Sequence, residues 1–267
     1  MAHSQTLQPV TIKSSADGGY FPAASSTATK DSAALRDIPQ SVNVVPKQLL
    51  QDQAARSMED ALKNVPGVAL SHGDGQRDQV TIRGFSAIAD QFVDGVRDDA
   101  LYFRDLSNLE RIEVLKGPSA VLYGRGSSGG LINRVTKKPI FGETTGDVTL
   151  NLGSYGLKRL SSDINLALGE AVAFRLNLAK EDSDSSRAQQ FIDRHSIAPS
   201  LAFKISADTN LLLQYTNAKD KRVTDFGIPA LNGKPVDVAV GTYYGSNKAR
   251  EDAPLPAPPT ATPSKMN

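Results

Sequence analysis

The chain of 267 residues contains no cysteine, no tryptophan and only three histidines. Without cysteine there is no disulfide framework, no thiolate metal site and no cysteine nucleophile, and either redox compartment fits. His3, His72 and His195 are scattered, with no HExxH, no GxSxG elbow and no triad spacing, so no catalytic residues are assigned and no enzyme activity is expected. An excess of one charge is missing too: 30 Lys plus Arg face 29 Asp plus Glu. That balance argues against a nucleic-acid partner. No apolar run exceeds four residues, as at Ala171–Phe174, whereas a membrane-spanning helix needs roughly 20. Met1–Thr11 has no apolar h-region, so no signal peptide is expected in the chain as written.

What is present falls into zones. Residues 1–36 are rich in Ala, Ser and Thr without a sustained period, which reads as a flexible leader. Residues 37–139 alternate short apolar strands, including Leu109–Leu115, with helical patches and glycine turns, the pattern of a small α+β domain. Pro46 suits the start of one helix, followed by Leu49, Leu50 and Ala54. Ser57 suits the cap of a second, with Glu59 and Asp60 in its first turn and Met58, Ala61, Leu62 and Val65 as its apolar stripe, and Pro66-Gly67 ends it. The run Gly124-Arg125-Gly126-Ser127-Ser128-Gly129-Gly130 lacks the GxxxxGK[ST] ending of a phosphate loop. It reads better as tight turns packed against another wall. Glu110, Arg111, Glu113 and Lys116 read as charges on a strand surface.

From about Thr144 the period becomes two. Val148, Leu150 and Leu152 alternate with polar residues, as do Ile164, Leu166 and Leu168, then Val172, Phe174, Leu176 and Leu178, and two further strands follow to Tyr215. Connections at Gly169-Glu170 and Ser206–Thr209 are short, whereas those from Glu181 and from Asp220 are long and polar. Short turns at one end and long loops at the other suit an outer-membrane barrel. A water-soluble antiparallel sheet with one packed face fits the alternation equally well. Five of the 15 prolines lie in the last 14 positions, at Pro254, Pro256, Pro258, Pro259 and Pro263, and the tail is expected not to form a strand.

The string Leu109-Glu110-Arg111-Ile112-Glu113-Val114-Leu115-Lys116-Gly117-Pro118-Ser119-Ala120-Val121-Leu122-Tyr123-Gly124, continuing to Gly129-Gly130-Leu131-Ile132-Asn133, resembles the signature of TonB-dependent outer-membrane receptors. Asp37–Val42, Ala61–Val68, Thr81–Phe85 and Val93–Arg97 resemble its siderophore-receptor branch in the same order. The resemblance implies an α+β plug domain over 37–139, followed over 140–252 by the first five antiparallel strands of an incomplete 22-stranded outer-membrane β-barrel. Strands of about 10 residues would require roughly 220 residues, and 124 follow Glu143. A truncated form is therefore expected, with 253–267 a Pro-rich tail read out of frame.

In that family an iron(III)-siderophore is the ligand, no cofactor is needed, and the TonB–ExbB–ExbD complex pulls an N-terminal box to open the plug in the outer membrane. Thr6, Leu7, Gln8, Pro9, Val10, Thr11 and Ile12 resemble that TonB box, an extended segment able to pair with a partner strand. By the same resemblance Gln76, Arg77, Tyr102 and Arg104 are expected at the siderophore, the arginines for charge and the tyrosine for stacking. Arg83, Glu110, Arg111 and Arg125 are expected in plug–barrel salt bridges. A soluble plug-like fragment that binds TonB or siderophore without transport is the alternative reading.

Overall fold

The computed structural model describes residues 19–20, 22–71, 75, 77–126, 128–245, 250–256 and 260–265, and side chains as far as residue 245. The described part of the leader, residues 22–36, is more ordered than its composition suggests. Strands β1 (Ala24–Ser25) and β2 (Ala33–Ala34) pair antiparallel, and Ser25, Thr27 and Ala28 are buried.

The first domain is built on β3 (Ser41–Pro46), β4 (Val68–Ser71), β5 (Gln79–Ile82), β6 (Phe85–Ser86), β7 (Gln91–Val93), β8 (Val96–Arg97), β9 (Leu109–Lys116) and β10 (Gly130–Thr136). Its main sheet has the order β3-β9-β10-β7-β8, with β10 and β7 parallel, and β4-β5-β6 form a second, smaller sheet. Helices α1 (Lys47–Asp52) and α2 (Met58–Leu62) lie between β3 and β4. Ser57 caps α2 as expected: its hydroxyl accepts from the Asp60 N–H at 3.1 Å, and the Asp60 carboxylate accepts from the Ser57 N–H at 3.2 Å. Such a reciprocal cap contributes about 1 kcal/mol.

Both faces of the central strands are covered, so β10 is buried along its whole length. On one face Ile112, Val114 and Ile132 pack with Met58, Leu62, Val80 and Ile82; on the other Leu115 and Leu131 pack with Phe92, Tyr123 and Ile38. Each large side chain so buried contributes about 1.5–3 kcal/mol. Helix α3 (Ala120–Tyr123) brings Tyr123 to the second face. The glycine turns after it are packed as the sequence suggests. Gly130 has φ 142°, and a Cβ there would sit 2.2 Å from the Leu115 carbonyl oxygen.

The second region is a meander of β11 (Thr145–Leu152), β12 (Lys158–Ala167), β13 (Val172–Asp184), β14 (Phe191–Ser206), β15 (Thr209–Gln214) and β16 (Asn217–Val223). β15 and β16 share one register along β14, with Ser200 opposite Gln214 and Ile197 opposite Asn217. They are one strand interrupted opposite Pro199. The Tyr215 N–H still donates to the Pro199 carbonyl at 3.0 Å, but proline has no N–H with which to return the bond. A hairpin of β17 (Ala230–Leu231) and β18 (Lys234–Pro235) lies within the long loop after β16.

The tail departs from expectation. β19 (Arg250–Pro256) pairs with β16 and β20 (Thr260–Lys265) with β15, giving the sheet a sixth strand position where five were expected. An edge strand needs ladder donors on one side only, which is where proline is tolerated. Pro254 and Pro256 are two residues apart, so their missing donors lie on the same side of the strand.

Alternation in this wall runs opposite to that of a water-soluble sheet. Along β13 the buried positions are Ala173, Arg175, Asn177, Ala179, Glu181 and Ser183, facing the first domain, while Phe174, Leu176 and Leu178 face away from it. Val148, Leu150 and Leu152 of β11 are 69, 61 and 70 % exposed. The sheet therefore presents a polar inner face and an apolar outer one, the arrangement of a membrane barrel wall. No helix among the described residues is long and apolar enough to cross a membrane, which leaves strands that cross it unaffected. At about 3.4 Å per residue, the 16 residues of β14 span roughly 50 Å, about twice the height of an apolar barrel band.

Candidate functional site

Polar groups join the first domain to the wall. Glu181 lies opposite Arg159 on β12 and Arg194 on β14, accepting from them at 2.9 and 2.6 Å. Arg56 of the first domain reaches the other Glu181 oxygen at 3.3 Å, and Asp105 reaches Arg159 at 2.9 Å and Arg194 at 3.7 Å. Burial pushes the Asp105 carboxyl up, but the two guanidinium groups and the Ser107 hydrogen bonds outweigh it and hold it below its ordinary range. A second cluster gathers Lys47, Lys137 and Arg175 on Asp163 at 3.3, 2.9 and 2.8 Å. The Asn165 amide holds the connecting segment, accepting from the Ile140 N–H and donating to the Ile140 and Glu143 carbonyls.

The residues expected in this seam are placed differently. Arg111 pairs with Glu113 of its own strand at 2.5 Å. Glu110 lines a cavity with Arg175, and its charge acts on that wall guanidinium without a direct ion pair among the described residues. Arg83 has φ 50° and is exposed in the β5–β6 turn beside Lys116. Arg125 is exposed, and its carbonyl accepts from Arg97 at 2.5 Å.

At the end carrying the longer loops, a cleft of about 400 Å³ opens between the two regions. Arg77 and Phe103 line it from the first domain, and Tyr155, Asp184, Arg222 and Asp225 from the wall. The Arg222 guanidinium lies 3.6 Å from the Phe103 ring centroid, and Arg187 pairs with Asp225 at 2.6 Å. Gly75 meets the wall closely: with φ 71°, a Cβ on it would lie 2.3 Å from the Asp225 carbonyl oxygen.

Of the four expected ligand residues, Arg77 lies on this cleft and Gln76 is outside the described residues. Arg104 borders it but is 2 % exposed and committed elsewhere. Its guanidinium donates to the Tyr102, Asp98 and Ala100 carbonyls at 3.2, 3.1 and 2.8 Å and pairs with Asp78 and Asp98 at 3.5 Å. Tyr102 donates to Asp98 at 2.6 Å, and one face of its ring is covered by Arg104 at 4.3 Å. Burial pushes the Tyr102 phenol up. Burial also raises Asp78 despite Arg104 beside it, whereas in Asp98 burial is outweighed by Arg134 and Arg104, which hold its carboxyl low. This hydrogen-bonded set fixes the loop 98–104 so that Phe103, the neighbour of the expected tyrosine, lines the cleft. Sequence periodicity carries no signal for Phe103, Tyr155, Arg222 or Asp225, which come together only across the seam.

The family model for the TonB-dependent Receptor Plug Domain matches residues 34–131. Residues 34–131 are a TonB-dependent receptor plug domain, and the antiparallel strands that follow resemble the start of the receptor barrel. It is 36 % identical over 256 residues to the probable TonB-dependent receptor BfrD of Bordetella pertussis, covering 91 % of this chain and 34 % of BfrD. With the catecholate siderophore receptor Fiu of Escherichia coli K12 it shares 34 % identity over 208 residues, 76 % of this chain and 27 % of Fiu. The closed form of Fiu superposes with a TM-score of 0.80 at 31 % identity, over 87 % of this chain and 35 % of that one. The siderophore receptor PiuA of Acinetobacter baumannii gives 0.75 at 32 %, over 79 % of this chain and 32 % of its own. The chain thus spans about a third of the length of the curated relatives it matches.

Proposed function

We propose that this chain supplies the plug and first wall strands of an outer-membrane receptor that takes up iron(III)-siderophores, driven from the inner membrane by TonB with ExbB and ExbD. The observation that carries the reading is the inverted burial of the wall. An apolar outer face suits lipid, and a polar inner face suits a plug that must shift. Hydrogen bonds and ion pairs at Glu181, Asp163 and Asn165 hold the plug in register yet can be exchanged for water without exposing a large apolar core. Relatives named as catecholate siderophore and TonB-dependent siderophore receptors support the ligand class.

At the cleft, Arg77 would meet the negative charge of an iron chelate and Phe103 with Tyr155 its flat groups, while Tyr102 and Arg104 position the loop beneath. The Thr6–Ile12 box lies outside the described residues, and its role as the TonB contact belongs to the same proposal. The test uses the full chain, fractionated with membranes and then titrated with the iron(III) tris-catecholate and tris-hydroxamate complexes. Membrane association, binding of one chelate and about tenfold weaker binding in Arg77→Ala are expected. A chain that stays in the aqueous fraction and binds neither chelate overturns the reading.

A further inference from the structure

At the opposite end of the seam, where the wall turns are short, a cavity of about 640 Å³ is lined by Glu110, Arg111, Asn133 and Val135 of the plug and by Arg175 of the wall. Its remaining side includes two residues of the leader, Ser26 and Lys30. The leader is fastened there by buried polar groups. Glu113 has no solvent exposure, although it lies in a strand whose charges read as surface. Its carboxylate accepts from the Ser25 hydroxyl, from the Thr27 N–H at 3.0 Å and from Arg111 Nε at 2.5 Å. Asn133, directly opposite Glu113 on β10, donates to the Thr27 hydroxyl at 2.9 Å, and the Tyr123 hydroxyl donates to the Thr27 carbonyl at 2.7 Å. The Lys30 ammonium sits 3.7 Å from the Tyr123 ring centroid.

We infer that residues 25–30 are a releasable strap, closed by the Glu113 carboxylate, whose withdrawal opens the cavity between plug and wall. The fastening has the right physics for release in one step. Ser25 and Thr27 are buried but polar, and the single methyl of Ala28 is the strap's one apolar contribution to the second core cluster, so withdrawal takes little apolar surface of the strap into water. Hydrogen bonds weaken steeply once distance and angle degrade, so losing one anchor loosens the others. The strap also precedes the rest of the plug in the chain, so a pull from the leader loads it first. That last point rests on the transport reading, whereas the closure itself does not.

Because the protein has no native cysteine, single thiols report each position in the full chain in detergent micelles. Maleimide labelling of Thr27→Cys reads the strap, Val135→Cys the cavity wall, and Ala61→Cys, 3 % exposed in the main core, the rest of the plug. Adding Glu113→Ala is expected to accelerate Thr27→Cys and Val135→Cys by at least about tenfold and leave Ala61→Cys unchanged. Tyr123→Phe, which deletes only one hydroxyl, is expected to give a smaller acceleration with the same pattern, and it decides the matter if Glu113→Ala does not fold. Unchanged labelling at residue 27, acceleration at 27 without 135, or equal acceleration at all three positions overturns the inference. None of these outcomes depends on chelate binding, so the strap and the transport proposal fail separately.

Discussion

In the plug, Met58, Leu62, Ile82, Ile112 and Ile132 are fully buried and form its core; in wall strand β13, Arg175, Asn177 and Glu181 are buried while Leu176 and Leu178 face outward. Both regions follow the same rule in different solvents. The plug removes apolar surface from water, and the wall turns its apolar surface toward an expected lipid phase while its polar side chains find partners on the plug. What joins the regions is therefore electrostatic. Breaking the seam should be separable from melting the plug.

The largest expected effect comes from Glu181→Ala, which leaves Arg56, Arg159 and Arg194 without their shared carboxylate. Removing one partner from such a buried cluster costs about 3–5 kcal/mol. In urea titrations of the full chain in micelles, we expect the plug–wall contact to be lost at lower denaturant than the plug core. Simultaneous loss of both would merge the two regions into one cooperative unit. Next is Leu150→Lys on the outer face, 61 % exposed. In lipid bilayers a charge at mid-depth of a barrel wall costs about 2–4 kcal/mol, and in water it should cost almost nothing. Equal stability in vesicles and in aqueous buffer would remove the lipid-facing assignment.

The smallest effect concerns Glu113. Burial pushes its carboxyl up, but Ser25, Thr27 and Arg111 outweigh that and hold it below its ordinary value. The groups facing it that carry or gain charge are Arg111 and Tyr123, and Tyr123 is raised to about 12, so it stays neutral. A depressed folded-state value means that the strap's stabilisation is complete above the ordinary glutamate range of about 4.3. It fades as the pH falls through the folded value. Labelling of Thr27→Cys, taken relative to Ala61→Cys so that the falling thiolate fraction cancels, should rise on acidification, and Glu113→Gln should flatten that ratio.

Much of the plug was legible because its signals are local. The Ser57 cap, the α2 stripe and the β9 strand each depend on residues within a few positions. Alternation from Thr144 located the wall strands but left their ends short: β13 continues through Lys180–Asp184 and β14 starts at Phe191, where charges pair across strands and onto the plug. Glu113 read as a surface charge because two of its three donors, Thr27 and Ser25, lie 86 and 88 residues away. For the same reason the leader read as flexible. The prolines of the tail excluded a central strand correctly and an edge strand incorrectly, since only sheet order tells the two apart. At the cleft, Tyr102 and Arg104 attracted attention by type, but their bonds to Asp98 and its neighbours tie them to their own loop, and Phe103 between them lines the cleft.

By itself the sequence determined which segments alternate, where α2 begins and ends, and the glycine-rich turns that let β10 pack beside β9. Those properties follow from backbone sterics and short-range hydrogen bonding. Only the tertiary structure decided which side of each wall strand faces the plug, which carboxylates serve the seam, and that Glu113 closes on the leader. A period of two specifies two faces without saying what covers either, and a charge acquires its role from partners that the chain brings to it from far away.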